Sequence, residues 1–501
     1  MNVLIGIDIG TQGTKAVACG EDGAVLAEAF EPSRPRRPGP GMLEEDPEIQ
    51  LDSACRTVRS CVEQAGAAGE VAGLAIAGQM AGVVGVGEDG RPVTPYDSWL
   101  DTRCAPFIGM VEREAGEEVL EKTGCAPSFN HGPKILWWKH ERPDAFAKVA
   151  KWVQPGGYVA MRLCGLGAAD AFIDDTYLHF SGFADNRARR WDAGLCAAFG
   201  IDPATLPRIV APGDRAGFLT PEMAGACGLP SGLPVVAGCG DTAASFLSCG
   251  ASAAGICVDV AGTASVFAAT TGAFAADHGS RILGCGRSVV PGLWHPYAYI
   301  NGGGMNLEWF RQELAGGATL DDLNALAEAV PLADDLPMFV PHLGGRVSPC
   351  WPDLRGSGAG LTWDHGPAAL YRAALAAVAL EYALYRRALE ASLPGATFDE
   401  IRVPGGGEKS APWNQIKADA LQTPIVRIER GGGAPVGAAL LAGAGVGLFD
   451  DIASAATCWV RTGAGPTDPD PARAGYYRRR TSRYASLLGH LNRWASEPTI
   501  P

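Results

Sequence analysis

The chain lacks the features that would mark several common functions. None of its 14 cysteines is spaced Cys-x-x-Cys, so they read as small buried hydrophobes in a reducing compartment rather than a disulfide framework. Eight scattered histidines include no His-Glu-x-x-His, which argues against a zinc site. The longest basic run is Arg478-Arg479-Arg480 and the net charge is −14, which disfavours nucleic acid as a main partner. The first strand is not followed by Gly-x-Gly-x-x-Gly with an acidic residue about 20 positions on, which disfavours a dinucleotide-binding oxidoreductase. The apolar stretches read as too interrupted to span a bilayer. The first residues carry no basic segment leading into an apolar core. The expected setting is the cytoplasm, with no membrane partner.

What is present is globular. The 501 residues are 47% hydrophobic and 19% charged, enough for a sizeable core. At ~100–200 residues per domain they make two large domains or three smaller ones. The informative stretch is Gly6-Ile7-Asp8-Ile9-Gly10-Thr11-Gln12-Gly13-Thr14-Lys15. It lies between the apolar runs Val3–Ile5 and Ala16–Ala18 and predicts strand, tight turn, strand. Thr11, Gln12, Thr14 and Lys15 put hydroxyls, an amide and an ammonium at the turn, which together with main-chain N–H groups suits a phosphate. Asp8, ending the strand, is placed to hold hydrated Mg²⁺.

Further along, Glu21-Asp22-Gly23 predicts a hairpin turn. Asp46 and Pro47 open a helix to Ala65 as N-cap and first helical residue. The strand Val71–Ala77 ends in Gly78-Gln79-Met80-Ala81-Gly82, and a following hairpin delivers Trp99-Leu100-Asp101-Thr102-Arg103. These two ends offer an amide, a carboxylate, a guanidinium and an indole to a polyhydroxylated ligand; the plainer alternative is a core Trp99 and a surface Asp101–Arg103 pair. Ala168–Asp192 reads as polar and irregular. Leu233–Ala244 reads as a strand, a Gly-x-Gly turn and a helix start, with Asp241 where the helix dipole favours its charged form or as a simple N-cap. Gly255–Phe267 repeats the plan of Ile5–Ala16, with an Asp in the strand (Asp259) and a Gly-Thr turn (Gly262, Thr263), which suggests two similar domains. Pro367–Leu393 is a long Ala-rich helix with Glu381 as a polar intrusion. Ile401–Ser410 is a strand and a triple-glycine turn, followed by a helix carrying Asn414. Gly405, Gly406 and Gly407 beside a helix start let a flat or phosphorylated ligand lie on bare backbone.

Together these stretches resemble the FGGY carbohydrate kinase family, and within it the xylulokinases most closely. The matching segments, in family order, are Gly6–Lys15, Gly78–Gly82, Trp99–Arg103, Gly238–Ala244, Gly262–Ser265, Gly344–Pro349, Gly360–Thr362 with His365, Gly405–Ser410 with Trp413 to Asp419, and Gly437 to Phe449. The resemblance implies an α/β fold of two actin-like, ribonuclease-H-like domains with an interdomain active-site cleft that closes over ATP and sugar. It implies an N-terminal domain over 1–237, on the sugar and Mg²⁺ side. A C-terminal domain over 238–501 would be the ATP side, with the catalytic base at its start and 473–501 as a tail helix. Carried over by motif, Asp241 is the general base, facing the sugar with Gln79, Met80, Trp99, Asp101 and Arg103, and Asp8 holds Mg²⁺ through water. Thr11, Gln12, Thr14 and Lys15 belong to one phosphate turn and Gly262 and Thr263 to a second. Gly405, Gly406, Gly407, Ser410 and Asn414 belong to the adenosine site.

The implied activity is ATP-dependent phosphorylation of a sugar hydroxyl, on a ketopentose such as xylulose. Ala81 stands where the xylulokinase turn usually has a histidine, and a site lacking that donor favours a different hydroxyl pattern. Ribulose, a tetritol or a hexulose remain open as substrates, and so does a catalytically silent nucleotide-dependent sugar sensor. The implied partners are a small-molecule sugar and, for assembly, a homodimer as one option.

Overall fold

The computed structural model describes residues 2–66, 69–262, 264–405, 409–430, 433–463 and 465–497. Its contacts divide the chain into two compact units. The first is Met1–Ser252, Cys285–Trp294 and Gly432–Val460; the second is Ala253–Gly284, His295–Gly431 and Arg461–Pro501.

The first unit contains β1 (Asn2–Ile9), β2 (Gly13–Gly20), β3 (Val25–Pro32), α1 (Pro47–Ala65), β4 (Glu70–Gly78), α2 (His131–Glu141), α3 (Pro155–Cys164), β5 (Arg215–Phe218), β6 (Pro234–Gly240) and α4 (Asp241–Ser248). Its sheet runs β5-β6-β4-β1-β2-β3. β1, β2 and β3 are successive antiparallel neighbours, while β4 is parallel to both β1 and β6. The alternation in β1 sorts its side chains between two layers. Val3, Ile5, Ile7 and Ile9 pack with Leu51 and Val58 of α1 and Tyr158 and Val159 of α3. Leu4 faces the other way, onto Val436, Ala439 and Leu440 of the helix Ala434–Gly445. Gly6 shares that second face, and a Cβ there would lie 1.8 Å from the Pro435 carbonyl oxygen; only glycine lets the helix approach so closely. Asp8 follows on the same face. Asp46 caps α1 by accepting from the Glu48 N–H, as the sequence predicts.

The resemblance places a boundary between 237 and 238. In the structure β6 is a strand of the first sheet and α4 continues directly from it, so the units separate after Ser252 and Asp241 belongs to the first. The stretch 168–192, read as polar and irregular, is largely buried: Phe172–Phe183 is inside the unit, including Asp174, Asp175, Thr176 and His179.

The second unit contains β7 (Ile256–Ala261), β8 (Ser265–Ala269), β9 (Trp294–Ile300), α5 (Gly303–Glu313), α6 (Leu320–Ala329), α7 (Pro367–Ser392), β10 (Glu400–Pro404), α8 (Ala411–Leu421), β11 (Ile425–Arg430), β12 (Arg461–Thr462) and α9 (Ala474–Ala495). These strands run β9-β8-β7-β10-β11-β12. The antiparallel pair β7/β8 with β10 parallel to β7 repeats the arrangement of β1, β2 and β4. By length and composition α7 could cross a bilayer, contrary to the sequence reading, but 78% of its most apolar window is buried inside the protein. It is the core helix of this unit. Its Glu381 is fully buried and accepts from His342 Nε2 (2.9 Å), Arg346 Nη2 (3.0 Å) and the Tyr484 hydroxyl of α9 (2.7 Å). Burial alone would push that carboxyl up; Arg346, His342 and the hydrogen bonds outweigh it and hold the group at about 2.

Candidate active site

In the first unit three parallel strand ends lie side by side. Ile9 of β1 and Gly240 of β6 both register against Gly78 of β4. With strands about 4.8 Å apart, Asp8 and Asp241 flank the Gly78-Gln79 turn. This is the carboxyl edge of a parallel sheet, where ligands of α/β folds are usually held. Gly238 permits the bend before Asp241: its φ is +83°, and a Cβ would fall 1.8 Å from the Ile76 carbonyl oxygen.

The two carboxylates are titratable side chains at this edge whose surroundings raise their proton affinity. Asp8 Oδ1 is buried without a hydrogen-bond partner among the described residues. Burial first, then the charge of Asp241, raises the Asp8 pKa well above the usual range, with Lys15 opposing. Asp241 is the first residue of α4 rather than its N-cap, which is Gly240. Its Oδ1 accepts from the Thr242 N–H (2.6 Å) and hydroxyl (3.1 Å). Burial pushes it up to about 6, restrained by those Thr242 bonds. A carboxylate titrating near 6 suits a general base at neutral pH. Among the described residues no three His, Cys, Asp or Glu side chains gather as a metal cluster. Mg²⁺ needs none, since one or two carboxylates with water and phosphate suffice, and the unpartnered Asp8 Oδ1 fits that demand.

The phosphate turn predicted around Thr11 is a two-residue hairpin. Gly10 N–H bonds Gly13 O (3.0 Å) and Gly13 N–H bonds Gly10 O (3.2 Å), which puts Thr11 and Gln12 at the tip. Ser33 braces it, its hydroxyl donating to Thr11 O (2.8 Å) and its N–H to Gln12 O (2.9 Å). The Thr11 side chain joins a chain of hydrogen bonds. Trp99 Nε1 donates to Thr11 Oγ1 (2.8 Å), which donates to Gln79 Oε1 (3.4 Å). Gln79 Nε2 donates to Glu45 Oε1 (3.0 Å), and Gln50 Nε2 donates to the other oxygen of Glu45 (3.3 Å).

Other predicted site residues have different company. Thr14 is buried, with its hydroxyl 2.5 Å from Ser53 Oγ of α1, because β2 alternates and Thr14 faces the helix layer. Lys15 pairs with Glu28 across the sheet (2.9 Å). Asp101 is fully buried, accepting from the Leu43 N–H and from the backbone and guanidinium of Arg103. Arg103 also pairs with Glu44 (2.9 Å) and stacks on Trp137. These two form an internal ion pair rather than either the ligand face or the surface pair considered from sequence. Met80 packs against Gly240, and Trp99 is partly exposed.

Sequence reasoning passed over four neighbours. Thr176 Oγ1 accepts from the Gly240 N–H (2.9 Å), and the Tyr177 hydroxyl donates to Gly78 O (2.8 Å). Both come from the stretch read as irregular and fix the two strand ends. The Tyr96 hydroxyl, also fully buried, finds no acceptor among the described residues. Its strand partner is Glu45. The fourth is Glu45 itself, masked in the sequence by its place beside the Asp46-Pro47 cap. Ala81 holds φ +61°, a left-handed conformation uncommon for a residue with a Cβ.

The second unit holds a cavity of about 600 Å³, within the range of small-molecule sites, lined by Gly262, Met305, Asn324, Tyr371, Ser410 and Trp413 among others. Ser410 caps α8 and donates to Asn324 Oδ1 (3.0 Å). Gly405 turns the chain at φ +77°. Asn414, on the first turn of α8, is buried (1% exposed) and is not among the cavity's lining residues. Thr263, Gly406 and Gly407 lie outside the described residues. Asp259 is fully buried, bonded to Lys417 and to the Tyr382 hydroxyl (2.6 Å).

The comparisons agree with this architecture. Residues 3–248 match the N-terminal domain of the FGGY family of carbohydrate kinases and residues 257–446 its C-terminal domain. A xylulose kinase of Escherichia coli is 30% identical over 83% of this chain and 84% of its own. A glycerol kinase of Aromatoleum aromaticum is 30% identical over 92% and 93%. The crystal structure of a xylulose kinase from Rhodospirillum rubrum superimposes with a TM-score of 0.88 at 28% identity, covering 99% of this chain and all of that one. Family profiles that span most of the chain, on a fold with these strand ends, lead to one conclusion: the chain belongs to the FGGY family of carbohydrate kinases.

Proposed function

We propose that the chain transfers the terminal phosphoryl group of ATP to a hydroxyl of a ketopentose, xylulose foremost. The observation that carries this reading is the pair Asp8 and Asp241, two half-buried carboxylates with raised proton affinity at the ends of β1 and β6, one on each side of β4. Asp241 takes the proton of the attacking sugar hydroxyl, and the Thr242 N–H holds its carboxylate in place. Asp8 holds Mg²⁺ through water. That ion, when bound, neutralises charge on the transferring phosphoryl group. The backbone at the tip of the Gly10–Gly13 turn, with Thr11 and Gln12, meets the phosphate. The cavity with Gly262 and Ser410 takes the nucleoside; its walls suit an aromatic base. Gln79 and Trp99 stand on the sugar side.

A second reading, a kinase for another sugar or polyol, is favoured by Ala81. It presents only a methyl where a hydrogen-bonding side chain would read a substrate hydroxyl. A coupled ADP-release assay on pentuloses, hexuloses, tetritols and pentitols of both hands separates the two. The first reading expects D-xylulose to give the highest kcat/KM. A polyol or hexulose that exceeds it by tenfold or more, about 1.4 kcal/mol of transition-state binding, installs the second.

A further inference from the structure

The bonds that join Trp99, Thr11, Gln79 and Glu45 have a fixed direction, and Glu45 sets it. An ionised carboxylate only accepts. Gln79 must therefore turn its Nε2 toward Glu45, at 3.0 Å, which leaves Oε1 as an acceptor. Thr11 gives its single hydroxyl proton to that oxygen. With the proton committed, Thr11 Oγ1 can only accept on its remaining side, and it accepts from the Trp99 indole N–H at 2.8 Å. Gln50 donates to the second Glu45 oxygen, so both ends of the carboxylate are held. Glu45 is 5% exposed and Gln79 fully buried, so bulk water does not scramble the order.

Two consequences follow for the ligands. The Thr11 side chain has no proton to offer a phosphate, so the donors at that turn are backbone N–H groups. Trp99 has spent its N–H, so it meets a sugar with its ring and not with a hydrogen bond.

We infer that Glu45 is a positioning residue for phosphoryl transfer, polarising a four-residue relay that locks the Trp99 ring on the sugar side to the Thr11 turn on the phosphate side. The inference rests on the proposed reading of those two sides. Neither end touches Glu45 directly; both feel it through Gln79. Because the relay joins the two substrates' binding elements, disturbing it moves the sugar KM and kcat together, whereas loss of folded protein lowers apparent kcat at unchanged KM.

The test uses the full chain with Glu45→Gln, Thr11→Val and Trp99→Phe, alone and with the first two combined. Glu45→Gln keeps shape but lets either amide flip. Each single variant is expected to lose roughly 10- to 100-fold in kcat/KM for the sugar, the scale on which misplaced groups are felt. The double variant is expected to be no worse than Thr11→Val alone, since residues acting in one chain are not additive. The Trp99 indole N–H resonance of ¹⁵N-tryptophan-labelled protein, assigned by its loss in Trp99→Phe, is expected to move in Glu45→Gln although the two side chains are not bonded. If Glu45→Gln does not fold, the indole shift in Thr11→Val and the kinetics of the other two singles carry the test. Unchanged kinetics with an unmoved indole resonance, or fully additive losses in the double variant, overturn the relay. Asp241→Asn, assayed alongside, reports on the underlying reading separately: retained turnover there removes the assigned base, while the indole measurement still decides the relay.

Discussion

Asp8 and Asp259 sit at corresponding places in two similar sheets and have opposite surroundings. Each lies in the strand that pairs antiparallel with the next and parallel with a later one. Asp8 is two residues before its turn glycine, Gly10; Asp259 is three before Gly262. In a strand that single step exchanges one face for the other. Asp259 therefore points into the helix layer, where Lys417 and Tyr382 satisfy it. Asp8 stays on the face of the helix Ala434–Gly445 at the carboxyl edge of the sheet, with Oδ1 unpartnered among the described residues and its strongest carboxylate neighbour, Asp241, of like charge. A charge that stabilises the fold has its partner built in; a charge kept for a ligand, as proposed for Asp8, does not, and the fold tolerates it at a cost.

The sharpest way to probe this difference starts at the like-charged neighbour. Asp241→Asn should lower kcat by ~10²–10⁴-fold, the usual weight of a positioned base, while equilibrium titration still detects ATP binding. Next in size, Asp259→Asn leaves Lys417 buried without its counter-charge. It should cost about 3–5 kcal/mol in denaturant unfolding, as breaking buried pairs does. A loss below about 1 kcal/mol would mean that Asp259 is as dispensable to the fold as a surface charge. The smallest effect is in pH. The base proposed at Asp241 has to be ionised to take a proton, and its pKa is raised to about 6, so kcat/KM should fall as pH drops through about 6. Because Asp8 and Asp241 interact, the midpoint belongs to the pair. An acid limb near the ordinary aspartate range would contradict the burial argument.

Much of this was legible in the sequence, and the reasons for the remainder are physical. The Gly6–Lys15 hairpin, the Asp46 cap and the Asp241 turn announce themselves because glycine, proline and Asp-Gly signals act locally. The strand–turn–strand repeat is visible too, but its one-residue offset has meaning only once faces are assigned. Thr14 and Lys15 belong to the motif by spacing, yet strand alternation turns Thr14 into the α1 layer and cross-strand pairing takes Lys15 to Glu28. Asp101 and Arg103 are adjacent enough to pair with each other, and burial makes that pairing complete. Thr176, Tyr177 and Glu45 could not be found by pattern, because they reach the site across 34 to 99 residues of chain and their partners are backbone groups or amides that carry no motif. The buried α7 shows the converse: its composition passes for a membrane span, and only its packing and the Glu381 network reveal a core helix.

The most direct measurement is thermal unfolding and turnover of Asp8→Asn, taken together over a pH series. The raised pKa means that the folded state binds the proton more tightly than the unfolded chain does. Ionising Asp8 therefore costs stability, and that cost grows as pH rises above the unfolded value of 3.8. Removing the charge should raise Tm at neutral pH, with a gain that shrinks toward acid, while turnover falls by at least ~10²-fold for want of the ligand charge. A variant that melts lower than wild type at neutral pH and keeps its turnover would show that Asp8 is a structural aspartate like Asp259.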